Sequence, residues 1–165
     1  MSNEKESVSV DNDADSYFMN QAIDEARIAS EMGEVPVGAV IVKDGKVIGR
    51  GRNTRETGKT ALGHAEIMAI EQACAELGGW RLMGCTLYVT MEPCSMCAGA
   101  IISARIPKVI CAVKDAKAGA FGSVLNVNSY PLNHKTDISF GLMENKSREL
   151  IGEFFEKLRK KRKGI

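Results

Sequence analysis

Three short runs of β-forming residues, Val37 to Val42, Thr86 to Met91 and Lys108 to Val113, alternate with stretches of helical periodicity, and this alternation narrows the fold more than any other feature. A strand-helix-strand-helix-strand succession implies parallel crossovers with helices laid over a sheet. A fourth run, Lys46 to Gly51, follows the first after Asp44-Gly45, a dipeptide suited to a two-residue hairpin turn, so these two should pair antiparallel. From Asp15 to Met32, Phe18, Ala22, Ile23, Ala26 and Ala29 recur at helical steps, with Asp15 or Ser16 as cap and Gly33 as stop. After a polar loop, Asn53 to Gly63, the segment His64 to Leu77 places Ile67, Ile70, Ala73, Cys74 and Leu77 on one stripe before Gly78-Gly79. Cys94 to Ala104 is short and rich in small residues. Asn145 to Lys161 closes the chain with Leu150, Ile151, Phe154, Phe155 and Leu158.

With 165 residues, 44% of them hydrophobic, the chain has the material for one core, which the periodicity places in a single domain over residues 15–162. Residues 1–14 are polar and acidic without apolar spacing and read as a disordered leader; residues 163–165 read as a flexible end. No apolar run approaches the roughly 20 residues that span a bilayer, and the first residues lack a secretory pattern, so the expected location is the cytoplasm. The net charge of +1 provides no global field to gather polyanions. Charge is instead local: residues 1–15 hold five acids and one lysine, and Lys157 to Lys163 holds six cations in seven positions. That basic run suits phosphates, and equally suits the negative end of a solvated helix.

Five cysteines, an odd number, argue against a disulfide framework and for metal or catalytic use. Cys74, Cys85 and Cys111 stand alone in apolar stretches and read as small buried hydrophobes. Cys94 and Cys97 form a CxxC after Pro93, downstream of His64-Ala65-Glu66. A lone CxxC is as consistent with a redox pair as with a metal site, and a lone histidine at a helix start with a cap. Together, one imidazole and two thiolates make a complete protein contribution to a catalytic zinc ion, which keeps its fourth position for water. Both groups sit at expected helix N-termini, where the dipole favours thiolate. Glu66 then has the spacing to sit beside the site and move protons. The competing structure is a closed zinc knot with His134 as fourth ligand, which leaves Glu66 without a role.

H-x-E with P-C-x-x-C is the known signature of zinc nucleobase deaminases. The match extends through Glu34-Val35-Pro36-Val37-Gly38-Ala39-Val40, Asn53-Thr54-Arg55-Glu56, Trp80-Arg81-Leu82, Thr86-Leu87-Tyr88-Val89-Thr90-Met91-Glu92-Pro93-Cys94, Met96-Cys97-Ala98-Gly99-Ala100, Ser103-Ala104-Arg105-Ile106 and Asp115-Ala116-Lys117. These segments closely resemble the bacterial tRNA adenosine deaminases that make wobble inosine, over about Tyr17 to Arg162. The resemblance implies a cytidine-deaminase-like three-layer α/β/α sandwich with a mixed sheet, an antiparallel hairpin joined to parallel strands. It implies one zinc ion on His64, Cys94 and Cys97, proton transfer by Glu66, and nucleoside contacts from Asn53 and the Ala65 backbone. Asp115, Lys117 and Asn133 would touch the flipped-out anticodon nucleotides, with Phe154 or Phe155 at the pocket exit, in a homodimer acting on a tRNA anticodon loop.

Three departures bear on the substrate. Phe121 stands where a small residue is expected, and its ring either stacks on a nucleotide or fills its space; Thr54 replaces an apolar residue, and Asn126 to Leu132 lacks an apolar helical continuation. Phe121 and the near-neutral charge favour deamination of a free guanine- or cytosine-type base, nucleoside or nucleotide; the extent of the match favours tRNA. A non-catalytic zinc-stabilised RNA-binding module is the third alternative, and Glu66 argues against it.

Overall fold

The computed structural model describes residues 8–164, with side chains from Asp13 onward. Helix α1 (Val8–Glu31) leads into a hairpin of β1 (Gly38–Lys43) and β2 (Lys46–Arg52). Then follow α2 (Ala65–Leu77), β3 (Cys85–Met91), α3 (Ser95–Ser103), β4 (Lys108–Val113), a short 3₁₀ turn (Val127–Ser129), β5 (Asp137–Phe140) and α4 (Glu144–Arg162). Asp44 and Gly45, at φ 50° and 75°, make the left-handed hairpin turn that their sequence suits.

The strands form one sheet in the order β2-β1-β3-β4-β5. β1 is antiparallel to both β2 and β3, whereas β3, β4 and β5 run parallel. The central strands are buried on both faces, and their period-two alternation divides the core in two. Ala39, Ile41, Leu87, Val89, Val109 and Cys111 face α2 and α3; Val40, Val42, Tyr88, Ile110 and Ala112 face the layer of α1 and α4. The fold is therefore the three-layer α/β/α sandwich with a mixed sheet. Phe18, Ala22, Ile23, Ala26 and Ala29 of α1 are all buried, as their spacing requires.

Three local features differ from the sequence reading. α1 begins at Val8, so residues 8–14 are helical; a polar segment adjoining an established helix extends it at little cost per residue. Residues 1–7 of the expected leader lie outside the described residues. The deeply buried stripe of α2 is Ala65, Ala69 and Ala73, with Ile70 and Cys74 only partly buried and Leu77 exposed. The cause is on β2: a Cβ at Gly49 or Gly51 would overlap the Ala69 or Ala65 carbonyl oxygen, so helix and strand approach backbone to backbone and only small side chains fit between them. The third is β5, an edge strand of four residues that no run of hydrophobicity announces; Ile138 and Phe140 pack against the core from one face.

Candidate metal and active site

His64 and Cys94 are the N-caps of α2 and α3, both in extended conformation, and Cys97 lies one turn into α3. Two helix N-termini thus converge at the C-terminal edge of parallel β3, and the close α2–β2 contact fixes the height of His64. The nitrogen and sulfur donors of His64, Cys94 and Cys97 all lie within 4.8 Å of one another. His64 Nδ1 is 3.6 Å from Cys94 Sγ and 3.4 Å from Cys97 Sγ. Neighbouring vertices of a tetrahedron with Zn–N of about 2.0 Å and Zn–S of about 2.3 Å are about 3.5 Å apart, so the donor set fits that ion.

The electrostatics favour the same use. A hydrogen bond from Cys97, with others from His64 and the Cys97 backbone, holds the Cys94 thiol down at about 3, a thiolate at neutral pH; the Cys97 thiol is driven up by donating to Cys94. The bond to Cys94 raises His64. Glu66 is 4% exposed, and burial pushes its carboxyl above the ordinary range. His134, the ligand required for a closed knot, instead bonds the Ile106 carbonyl oxygen through Nε2 at 2.8 Å and is absent from the cluster. Cys85 and Cys111 are buried and Cys74 half-buried, all as free thiols in or against the core.

A pocket of about 210 Å³ opens over the donor cluster, with His64 and Cys94 in its lining and Cys97 buried behind them. Asn53, Ala65, Glu66 and Asp115, all expected at the site, line it. Asn53 Nδ2 donates to the Val35 carbonyl oxygen and its Oδ1 accepts from Arg55 N–H, which orients the amide and leaves one hydrogen and one lone pair. Other expected residues lie elsewhere. Phe121 does not line the pocket: it is 4% exposed, buried in the core on the α2–α3 face, where its segment folds inward around a carboxylate. Lys117 and Asn133 are exposed on loops outside the pocket lining. Phe154 lines a separate groove with Ser30, Gly33 and Lys157, between the ends of α1 and α4, and Phe155 meets it edge-to-face. The pocket also holds Val35, Val37, Arg55, Met91, Glu92 and Ala118, to which sequence reasoning gave no role. Most lie in the segments flanking the assigned residues, but no spacing rule singles them out.

A model of the MafB19-like deaminases matches residues 12–159. The chain belongs to this deaminase family. Within it, the deaminase is 45% identical to the tRNA-specific adenosine deaminase of Bacillus subtilis (strain 168) over 90% of this chain and 93% of that one. It is 47% identical to the protein of the same name from Aquifex aeolicus (strain VF5), over 87% and 95%. Its structure superposes with a TM-score of 0.80 on one solved in a study of A-to-I editing by tRNA:A34 deaminases, at 46% identity, covering 82% of this chain and 99% of the other.

Proposed function

We propose that this deaminase converts adenosine to inosine at the wobble position of a tRNA anticodon loop, using one zinc ion held by His64, Cys94 and Cys97. The observation that carries the reading is a three-donor cluster with no fourth protein ligand among the described residues, beside a buried carboxyl, Glu66. Near-full-length identity to enzymes named for this substrate supports the choice of tRNA.

The net reaction is adenosine plus water to inosine plus ammonia. Bound zinc would supply Lewis acidity that brings the ionisation of water into the neutral range. Glu66 accepts the proton lost from water as oxygen attacks the amine-bearing ring carbon. It returns protons to the ring nitrogen and the departing amine, a general acid–base contribution of about a hundred- to ten-thousand-fold. Asn53 orients the nucleoside with its remaining hydrogen and lone pair, and the Ala65 backbone meets the base edge. A nucleotide in a loop enters such a pocket with little unpairing. Asp115 at the rim and Lys117 and Asn133 outside it meet the flanking nucleotides, and the aromatic pair on α4 lies farther along the RNA.

The reading extends to a homodimer in the cytoplasm. Among the described residues no helix is long and apolar enough to cross a membrane. In Met96 to Ile102, Cys97, Ala98, Ile101 and Ile102 are spent on the chain's own core, which leaves Met96, Gly99 and Ala100 half-exposed for a partner copy. Light scattering at micromolar concentration is expected to give twice the chain mass; a monomer mass overturns the dimer.

Product analysis on an anticodon stem-loop, beside a panel of free bases and nucleosides, tests the substrate. Inosine in the loop with no turnover of free bases is expected. Turnover of free bases alone replaces this reading with a small-molecule deaminase, and inactivity of zinc-loaded protein on everything leaves an RNA-binding module. Elemental analysis should find one zinc per chain.

A further inference from the structure

Two walls of the pocket are irregular chain. One is the loop 53–63, which contributes Asn53 and Arg55; the other is the segment 115–123 after β4, which contributes Asp115 and Ala118. Neither has a strand ladder or a helix; turns and neighbouring carbonyls take up some of its backbone N–H groups, those of Thr54, Gly58 and Thr60 in one and of Gly119, Ala120 and Gly122 in the other. Each is closed around a buried carboxylate that comes from elsewhere in the chain.

Glu92, 3% exposed, accepts from the backbone N–H groups of Asp115 (3.0 Å), Phe121 (3.0 Å) and Ser123 (3.2 Å), and from the Ser123 hydroxyl. Glu34, 1% exposed, accepts from the backbone N–H groups of Glu56 (3.1 Å) and Thr57 (2.8 Å) and from the Thr57 hydroxyl (2.8 Å). A Cβ at Gly119 would overlap the Glu92 carboxylate, so the segment reaches it only with glycine there. Charge-assisted bonds of this kind are about twice as strong as neutral ones, and buried N–H groups left without them are costly. Both carboxylates are occupied by backbone and hydroxyl donors of their loops, which removes them from proton transfer.

We propose that Glu34 and Glu92 are positioning residues: each folds one loop into one wall of the substrate pocket, so that they set nucleoside binding without touching the reacting atoms. The proposal rests on the reading of this pocket as the nucleoside site. Ordinary scaffolding would spread the effect of losing either group over the fold; a positioning role confines it to one loop and to substrate binding.

The test uses zinc-loaded full-length protein, with amide hydrogen exchange read by peptide and steady-state kinetics on an anticodon stem-loop. Glu92→Gln keeps the shape but offers one acceptor oxygen in place of two. It should speed exchange in 115–123 by about tenfold or more with 53–63 unchanged, and Glu34→Gln should do the reverse. Each should retain zinc and raise KM by about tenfold, a larger factor than the fall in kcat. Two further variants leave both carboxylates in place: Gly119→Ala should reproduce the Glu92→Gln pattern, and Thr57→Val should give a weaker form of the Glu34→Gln pattern. These carry the test if a glutamine variant fails to fold. Exchange that is unchanged, or raised equally in both loops and the core, overturns the proposal, as does loop-confined exchange with an unaltered KM. If exchange is loop-confined but the wild type leaves the stem-loop unmodified, the pocket's substrate has been misread while the loop anchoring by the two carboxylates stands.

Discussion

Two helices on opposite faces of the sheet, α2 and α4, are built to different tolerances. On one face, α2 presses alanines onto glycines of β2, and α2 and α3 begin at the donor cluster. On the other, α4 buries only Ser147 completely, leaves Leu150, Ile151, Phe154 and Leu158 half-buried, and has Phe155 38% exposed. Three donor atoms must be held to tenths of an ångström, and backbone-to-backbone packing provides that rigidity because it leaves no flexible side chain in between. A surface that meets a large, deformable partner needs apolar and cationic side chains within reach, and a lightly anchored helix presents them. Close packing of this kind carries the start of α2, where the chemistry is proposed; α1 on the opposite face packs as closely, since a Cβ at Gly38 would overlap the Ala22 carbonyl oxygen, and α4 is the helix held lightly.

The sharpest way to test this contrast is to remove the proton carrier without disturbing the packing. Glu66→Gln should retain zinc and the folding midpoint and lose about a hundred- to ten-thousand-fold in kcat; wild-type turnover in the purified variant would remove Glu66 from the mechanism. Next comes Phe121→Ala, which should cost about 3 to 5 kcal/mol in denaturant unfolding, as befits a core phenyl. If it instead weakened stem-loop processing with stability unchanged, the ring would belong to the RNA path after all. Gly51→Ala drives a methyl into the Ala65 carbonyl and should cost about 1 to 3 kcal/mol while weakening zinc retention against a chelator, because the start of α2 carries His64. A similar overpacking change on α4 would leave zinc retention alone.

The smallest expected effect falls on the loosely held helix α4. Truncation after Glu156 should leave stability and turnover of a short substrate nearly unchanged while flattening the salt dependence of stem-loop processing, since phosphate contacts release counterions. An unchanged salt response would make the basic run a solvated helix end.

Much of this was legible in the residues because it depends on local chemistry. The hairpin follows from Asp44-Gly45, and α1 from five apolar positions at helical spacing, all five buried. The metal donors were legible because zinc restricts ligand type and number, so His64, Cys94 and Cys97 stood out from five cysteines and two histidines. The burial of Phe121 was not legible for a physical reason: an aromatic in a loop reads the same whether it faces a nucleotide or the core, and its segment is folded inward by Glu92, 29 residues away in sequence. The α2 stripe was misplaced for a similar reason. Hydrophobicity favoured isoleucines over alanines, but the glycines on β2 determined which side of the helix could come closest.

By itself the sequence determined the candidate chemistry: which side chains form a group that could hold a metal, which carboxyl stands beside them, and the order of strands and helices that brings them to helix starts. These depend on residue type, period and spacing, which the chain carries in one dimension. Only the tertiary structure showed how the environments of the three carboxyl groups at the pocket differ. Glu66 is buried with its carboxyl pushed up, whereas Glu92 is occupied by backbone donors and Asp115 Oδ1 accepts from the Lys117 and Ala118 N–H groups. That distinction depends on solvent exclusion and on donors from distant segments, which exist only once the chain has folded around them.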